Sequence, residues 1–254
     1  MTKLQSKMHD QAEQLLTKSV LTHEEKLFVI DHWQESANNL NSLSGAFFTP
    51  YSYAADFALE VTGRRIIDLC AGIGTLSYAV MMKQDWAPHL TKSDLELTCV
   101  ELNADYVRIG QKILPEAQWI QANVFELLAL KDYDFAIANP PFGRVHRDGV
   151  GPRFIGAEFE YHLIDLAAEY APEGAFILPQ GSSPFTYSGM PYLKENRHGG
   201  YSKFHAQTGI VLEAGLGIET TVYAEQWHGV NVRTEVVRAD LSSAFRKHSG
   251  QRAS

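Results

Sequence analysis

Four adjacent residues in the middle of the chain combine a polar side chain, two prolines and an aromatic ring. They are Asn139, Pro140, Pro141 and Phe142, and they end an apolar run, AIANPPFG, that is typical of a buried strand. Proline stiffens a turn and removes N–H donors, so the carbonyl of Pro140 should be held in one place. The turn then presents an amide, a fixed carbonyl and an aromatic face on which a planar ring can stack. We therefore take these four as candidate catalytic residues.

A glycine turn forms a second candidate segment, in IIDLCAGIGTLSYAV. Gly72 and Gly74 lie between an apolar strand and a helix, where the missing Cβ lets the backbone turn tightly and approach a ligand. The segment lacks the third glycine of dinucleotide-binding turns and the Lys-Ser/Thr of a phosphate loop. The pattern therefore disfavours a nucleoside triphosphate and favours a ligand without a phosphate.

Polar residues also follow the next two predicted strands. Glu101 ends LTCVEL, where an acid can accept hydrogen bonds from both hydroxyls of a ribose in the sheet crevice. Asn123 and Val124 end the next strand, and they could contact an adenine edge and the face of its ring. The alternative for Glu101 is an exposed acid at a strand end.

The elements that position these residues alternate between strand and helix. Five runs indicate strands: RRIIDLCAG, LTCVEL, AQWIQAN, YDFAIAN and GAFILP. Predicted helices span 53–61, 76–82, 104–113, 124–130 and 158–170. This alternation predicts βαβ units and a parallel sheet. The final run, GIETTVYAEQWHGVNVRTEVVRAD, has no room for a crossover helix and predicts a hairpin turning at 227–231. The predicted fold class is α/β, a mostly parallel seven-stranded twisted sheet with helices on both faces and a C-terminal antiparallel hairpin.

Composition limits the remaining possibilities. The chain has 254 residues, 45% of them hydrophobic, and a net charge of −8 that counts against a non-specific nucleic-acid coat. It has no apolar run long enough for a membrane span and no signal-peptide core at its N-terminus. Cys70 and Cys99 lie in apolar runs without zinc spacing, so we expect reduced core cysteines, no metal site and a cytoplasmic location.

The order of these features resembles the Rossmann-like S-adenosylmethionine-dependent methyltransferases. The resemblance implies that S-adenosylmethionine is the cofactor and assigns cofactor binding to Asp68, Ala71, Gly72, Gly74, Glu101, Asn123 and Val124. The family often has Asp where this chain has Asn123, and an amide oxygen can still accept from an adenine amine.

Members that methylate a planar exocyclic or amide nitrogen carry Asn/Asp/Ser-Pro-Pro-Tyr/Phe/Trp after the fourth strand, and the segment NPPF matches each position. The lone pair of an adenine amine is delocalised into the ring, which makes the nitrogen a poor nucleophile. The Asn139 side-chain oxygen and the Pro140 carbonyl can accept its two hydrogens and favour a pyramidal nitrogen. Phe142 would hold the base by stacking.

The segment FFTP precedes the glycine turn and gives a further match. Many adenine-specific DNA methyltransferases carry Phe/Tyr-Thr-Pro there, as part of the wall of the cofactor pocket. The resemblance thereby assigns Phe48 and Thr49 to cofactor binding. The order of segments resembles the γ group of amino-methyltransferases and the methylating subunits of type I restriction systems.

Basic residues gather after the fourth and fifth strands, where they should flank the mouth of the site. The substrate-binding candidates are Arg144, Arg147, Arg153, Arg197 and Lys203, and the aromatic residues interleaved with the basic ones are Phe185, Tyr187, Tyr192, Tyr201 and Phe204. Cations for phosphates beside aromatic faces for bases indicate a nucleic-acid partner. Two solvated, glycine-rich loops would give the same pattern.

Several substrates stay open at this point. FFTP and the basic loops favour DNA adenine N6, but some rRNA adenine methyltransferases share NPPFG and also lack a recognition domain. Protein-glutamine N5-methyltransferases share an NPPY-type motif, although Phe142 and FFTP count against that substrate. A methyltransferase-like subunit without activity is a fourth alternative.

The predicted organisation has three parts. Residues 1–45 form a helical cover, in which Thr22 and Glu25 fit a capping box. Residues 46–245 form the methyltransferase domain, and residues 246–254 a basic tail. The only sizeable insertion, 181–209, is too small for the recognition domain usual in γ-type enzymes. We therefore expect short or relaxed sequence specificity, recognition by loops, or help from a partner subunit or a homodimer.

Overall fold

The computed structural model of the chain describes residues 2–34, 47–86, 94–127, 133–196, 199–227 and 232–245. The strands of its main sheet are β1 (Arg65–Leu69), β2 (Glu96–Glu101), β3 (Gln118–Gln121), β4 (Phe135–Ala138), β5 (Glu173–Pro179), β8 (Val211–Glu213) and β9 (Thr234–Asp240). A separate antiparallel ribbon contains β6 (Phe185–Thr186) and β7 (Lys194–Glu195).

The sheet order is β3-β2-β1-β4-β5-β9-β8. Strands β1 to β5 pair in parallel, whereas β9 pairs antiparallel with both β5 and β8. This arrangement confirms the predicted fold class of a Rossmann-like methyltransferase sheet. The strand order reverses between β1 and β4, and in open α/β sheets ligands bind in the crevice at the carboxyl ends of the strands at such a point.

The helices are α1 (Lys3–Leu16), α2 (His23–His32), α3 (Tyr51–Phe57), α4 (Thr75–Trp86), α5 (Ala104–Ile113), α6 (Phe159–Ala167) and α7 (Gly199–Thr208). The prediction for α5 matches both ends, and those for α3, α4 and α6 differ from the structure by a few residues. The predicted helix 124–130 is only a 3-10 turn, Val124–Glu126, within the described residues. None of the helices in these ranges is long and apolar enough to cross a membrane.

Apolar side chains on both faces of the sheet explain why the central strands are buried. Ile66 and Ile137 belong to the core cluster on one face, and Ile67 and Ala136 to the cluster on the other. Successive side chains of a strand point to opposite faces, so two layers of helices are needed to cover them. The sheet is therefore held rigidly between two cores, which fixes the positions of its strand ends.

The N-terminal helices pack on the first of these cores. The predicted capping box at the start of α2 is confirmed: Thr22 Oγ1 accepts from the Glu25 N–H, and Glu25 accepts from the Thr22 N–H. Trp33 is buried, and its ring packs edge-on against Phe48 at 5.7 Å between centroids. The N-terminal helices thereby support the segment that precedes the glycine turn.

The C-terminal strands pair antiparallel, as predicted, but the first strand of the pair is not the one that the sequence indicated. The antiparallel partner of β9 is β8, whereas Thr220–Gln226 is a 3-10 helix. Glu219 caps that helix by accepting from the Thr221 N–H, and Tyr223 stacks on Tyr53 at 5.1 Å. These contacts favour a helical turn over the extended form that the alternating residues suggest. The predicted turn lies partly outside the described residues.

The insertion 181–209 is more ordered than a loop. It contains the β6–β7 ribbon and α7, and two aromatic residues proposed as base-binding faces, Phe185 and Phe204, are buried in the core. Glu235 on β9 holds the start of the insertion, because its Oε1 accepts from the backbone N–H groups of Tyr187 and Ser188. The first part of the insertion is therefore fixed to the sheet.

Candidate functional site

A pocket opens at the carboxyl ends of β1 and β4, at the reversal of strand order. Its wall also includes the segment before α3 and the first residues of α4. The lining residues are Phe47, Phe48, Thr49, Asp68, Cys70, Ala71, Gly72, Thr75, Leu76 and Asn139. The structure therefore brings together five of the predicted cofactor residues and the first residue of the NPPF turn.

The glycine turn needs both of its glycines. Gly72 has φ +57 and Gly74 has φ +86, a region that favours glycine. A Cβ on Gly74 would lie 2.9 Å from the Trp119 ring, and one on Gly72 would lie 3.2 Å from the Phe48 ring. Gly72 is therefore covered by an aromatic residue of the pocket wall, while Gly74 accommodates the core residue Trp119.

Cys70 departs from its predicted place in the core. It has φ +63, the only positive φ of a non-glycine residue in the described part of the chain, and it lines the pocket. Burial raises the pKa of its thiol well above the ordinary value, so the side chain is neutral. Cys99 is buried as predicted, and neither cysteine forms a disulfide.

Glu101 at the end of β2 is tied to the backbone of the site. Its Oε2 accepts from the Gly72 N–H at 2.8 Å, and its Oε1 accepts from the Asn103 N–H at 2.8 Å. The carboxylate thus fixes the glycine turn relative to the neighbouring strand. The ribose contact proposed for Glu101 stays a prediction.

The residues predicted to contact an adenine ring of the cofactor lie after β3. Asn123 Oδ1 accepts from the Phe125 N–H at 3.1 Å and caps the 3-10 turn, and Val124 is buried in the core. Neither residue lines the pocket described above, and neither do Glu101 and Gly74. Their part in cofactor binding stays a prediction.

The amide of Asn139 is held in a defined orientation. Its Nδ2 donates to the Phe47 carbonyl at 2.8 Å and to Thr49 Oγ1 at 3.0 Å. Both acceptors belong to the FFTP segment, and Thr49 is itself buried. With both amide hydrogens used in this way, the side-chain oxygen is the group that remains for a ligand.

Three buried oxygens of the pocket have no hydrogen-bond partner within the described residues. They are Asp68 Oδ1, Thr75 Oγ1 and Asn139 Oδ1, all on pocket-lining residues. Buried polar atoms normally have a partner, so this cluster indicates the place of a polar ligand. S-adenosylmethionine fits Asp68 and Thr75, because it carries positive charge for a carboxylate and polar groups for a hydroxyl.

Asp68 has an unusual ionisation for an aspartate. Burial, partly opposed by the hydrogen bond from Ser77 Oγ at 2.7 Å, raises the pKa of its carboxyl to about 7. The side chain therefore changes charge near neutral pH. A cationic ligand would favour the ionised form.

The rest of the NPPF turn lies between the pocket and α6. Pro140 is buried, and Pro141 and Phe142 are half-buried. The Phe142 ring lies 6.4 Å from the Phe47 ring, at an angle of 45°. The turn ends at Gly143, which has φ +76. Phe142 therefore packs beside Phe47 of the pocket wall and is partly exposed.

Two of the predicted substrate cations have internal roles. Arg147 donates to the carbonyls of Gly156 and Ala157, and Arg153 forms an ion pair with the buried Asp165 at 2.7 Å. The Arg147 contacts join two parts of the loop after β4, and the Arg153 ion pair fixes that loop to α6. The structure therefore gives both arginines a partner within the chain.

The remaining predicted cations differ from these two. Arg144 and Lys203 are exposed, and Arg197 lies outside the described residues. Tyr192, in the insertion, is 67% exposed. Arg144 and Lys203 are therefore the predicted cations that the described structure leaves in contact with solvent.

Some residues of the site were not predicted from the sequence. Phe47, Thr75 and Leu76 line the pocket, and the buried Glu160 contacts the NPPF turn through the Gly143 N–H. The sequence contains a feature that could have indicated two of these residues. Thr75 directly follows the second glycine, and Glu160 is an acid at the start of the largely apolar helix FEYHLIDLA.

One known family matches part of the chain. Residues 55–160, from α3 to the start of α6, match the family Methyltransferase small domain. No curated protein sequence matches the chain. The matched segment contains the glycine turn, Glu101 and the complete NPPF turn.

Solved structures share the fold at low sequence identity. A methyltransferase subunit of a type I restriction-modification system from Streptococcus thermophilus is 15% identical, over 89% of this chain and 51% of that chain, with a TM-score of 0.52. A protein from Listeria monocytogenes, assigned to the class I S-adenosylmethionine-dependent methyltransferases, is 14% identical over 94% and 81%, with a TM-score of 0.52. The DrdV–DNA complex gives 13% identity over 89% and 30%, with a TM-score of 0.56.

The chain thus spans about half of the restriction-modification subunit and less than a third of the chain in the DNA complex. The partial family match and the fold are both those of S-adenosylmethionine-dependent methyltransferases, and they imply S-adenosylmethionine as the cofactor.

Proposed function

We propose that this chain is an S-adenosylmethionine-dependent methyltransferase that transfers a methyl group to the exocyclic N6 amine of adenine in DNA. The observation that carries the proposal is the orientation of Asn139. Its amide hydrogens bind the FFTP segment, and its buried oxygen stands without a partner among the described residues. An acceptor prepared in this way suits a substrate that brings two N–H hydrogens.

The chemistry follows from the residue types at the turn. The cofactor supplies a methyl group on a positively charged sulfur. Asn139 Oδ1 and the Pro140 carbonyl accept the two amine hydrogens and favour a pyramidal nitrogen, whose lone pair is then free to react. Preorganised acceptors stabilise the positive charge that develops on this nitrogen. An amide is not a strong base, so the proton leaves the nitrogen after methyl transfer.

Phe142 contributes the aromatic face that holds the base. It is half-buried and packs near Phe47, so its ring is supported from the pocket side. The amine of an adenine in duplex DNA lies within the base stack, so the base has to leave the stack before it can reach this site. The enzyme therefore acts on a flipped base or on a single strand.

Three features favour DNA as the substrate. The FFTP segment resembles that of adenine-specific DNA methyltransferases, and here it holds the Asn139 amide. Two of the structural relatives are a restriction-modification methyltransferase subunit and a protein in complex with DNA. The exposed Arg144 and Lys203 supply cations for phosphates. This chain covers only part of both relatives, and we propose that a partner subunit or a second copy completes DNA recognition.

Methyl transfer to different acceptors tests the proposal. The protein is incubated with S-adenosylmethionine carrying a labelled methyl group and with unmethylated duplex DNA, single-stranded DNA, rRNA or a glutamine-containing release-factor peptide. Nucleosides from the products are then analysed by mass spectrometry. We expect label in DNA as N6-methyladenine. Label confined to rRNA or to the peptide would show that DNA is not the substrate. No label in any acceptor would contradict the proposal of a methyltransferase.

A further inference from the structure

A buried acid connects the two loops that border the methyl-acceptor side of the site. Glu160, the second residue of α6, is 1% exposed. Its Oε2 accepts from the Gly143 N–H at 2.8 Å, and its Oε1 accepts from Ser182 Oγ at 2.6 Å. Gly143 directly follows the NPPF turn, and Ser182 belongs to the 3-10 turn after β5. The carboxylate therefore joins the turn to the start of the insertion.

Burying the Glu160 carboxylate would cost free energy without its contacts to Gly143 and Ser182. A carboxylate in the first turn of a helix usually faces solvent or caps the helix's own N–H groups. Glu160 is instead turned inward, and every residue of α6 is buried. Burying a charge is unfavourable unless hydrogen bonds compensate for the lost water. The two contacts to Gly143 and Ser182 supply that compensation.

The geometry at Gly143 is fixed from two sides. Its N–H donates to Glu160, and its carbonyl accepts from the Phe159 N–H at 2.9 Å. The Gly143 N–H belongs to the same planar peptide unit as the Phe142 carbonyl. Fixing that N–H therefore fixes the plane of the peptide that follows the Phe142 ring. The positive φ of Gly143 lets the chain leave the turn in this direction.

We infer that Glu160 is a positioning residue for the methyl acceptor, acting through the Phe142–Gly143 peptide and joining the NPPF turn to the insertion at Ser182. It touches neither cofactor nor substrate. Without it, Phe142 loses its fixed orientation toward the acceptor, whereas the FFTP contacts of Asn139 and the cofactor pocket stay intact. The inference rests on the proposed function, in which this turn binds the acceptor.

Four variants test the role by steady-state kinetics and by calorimetric measurement of cofactor affinity. Glu160→Ala removes both contacts. Glu160→Gln keeps the length, because its amide oxygen can accept from Gly143 and its amide N–H can donate to Ser182 Oγ. Glu160→Asp keeps the charge but is too short. Glu158→Gln is the matched control, since Glu158 directly precedes the same helix and, among the described residues, its side chain accepts only from the neighbouring Ala157 N–H.

We expect kcat for the acceptor that the wild-type enzyme labels to fall by about 10- to 100-fold in Glu160→Ala, the scale of a small misplacement of reacting groups. Cofactor affinity should stay within about twofold, since the pocket contacts remain. Glu160→Gln should recover most of kcat, Glu160→Asp should not, and Glu158→Gln should match the wild type.

An unchanged kcat in Glu160→Ala, or an equal loss of cofactor affinity, would overturn the inference. If Glu160→Ala does not fold, the values of kcat for Glu160→Gln and Glu160→Asp decide. A higher kcat in Glu160→Asp than in Glu160→Gln would contradict the inference. A wild-type protein that labels no acceptor is a different outcome, because it contradicts the proposed function and thereby removes the premise.

Discussion

At the scale of single residues, the site depends on how the Asn139 amide and the Asp68 carboxyl are held. The sequence predicted Asn139 and Asp68 as members of the site, and the pocket contains both. It could not predict that the Asn139 amide binds the FFTP segment, because that contact joins residues about 90 positions apart. The same limit applied to Glu160, whose partners come from two other loops.

Asp68 should make cofactor binding depend on pH. Its carboxyl has a pKa of about 7, raised by burial, so it is largely protonated at pH 6 and ionised at pH 8. The cationic cofactor favours the ionised form, and binding below the pKa must release a proton. We expect affinity to fall by about tenfold from pH 8 to pH 6 through this group.

Calorimetry at several pH values measures this effect, with Asp68→Asn as the control. The variant cannot ionise at this position, so its affinity should lose the part of the pH dependence that Asp68 contributes. An identical pH profile for the wild type and the variant would show that Asp68 does not titrate against the cofactor.

At the scale of elements, the prediction from sequence was most successful where hydrophobic pattern and local signals agree. Helix α5 has an Asn103 cap and an amphipathic pattern, and its predicted bounds are those of the structure. The segment Thr220–Gln226 has an alternating pattern that suggests a strand, but Glu219 and the stacking of Tyr223 on Tyr53 produce a 3-10 helix. A tertiary contact of this kind is not visible in local sequence.

The glycine turn gives a prediction about stability. Gly74→Ala places a Cβ 2.9 Å from the Trp119 ring in a conformation with φ +86. We expect it to lower the free energy of unfolding by about 1 to 3 kcal/mol, the usual cost of such backbone strain. Chemical denaturation measures the change. The control is Gly181→Ala, because a Cβ there meets no atom of the described structure within 4 Å. Equal stability of the two variants would argue against strain at this turn.

At the scale of the whole molecule, a net charge of −8 has to be reconciled with the proposed polyanionic substrate. Composition gives no information on where cations are exposed. The structure directs Arg147 and Arg153 to internal partners and leaves Arg144 and Lys203 in solvent. Exposed cations at Arg144 and Lys203, together with the proposed partner subunit or second copy, would let an acidic chain bind DNA.

The two exposed cations should contribute to DNA affinity through phosphates. Arg144→Ala and Lys203→Ala should each weaken binding of duplex or single-stranded DNA and reduce the salt slope by about 1, without changing cofactor affinity. Fluorescence anisotropy at several salt concentrations measures both quantities. The comparison is Arg108→Ala, an exposed arginine on α5. Equal salt slopes for all these variants and the wild type would show that Arg144 and Lys203 do not contact DNA phosphates.

The central claim is that Asn139 presents its oxygen to the amine of adenine. The most direct measurement compares wild type and Asn139→Ala for formation of N6-methyladenine in DNA, together with cofactor affinity by calorimetry. We predict N6-methyladenine from the wild type, a loss of rate of at least about 100-fold in the variant and little change in cofactor affinity, since one preorganised polar group has been removed. Near-normal turnover by Asn139→Ala, or a wild-type product other than N6-methyladenine, would contradict the account.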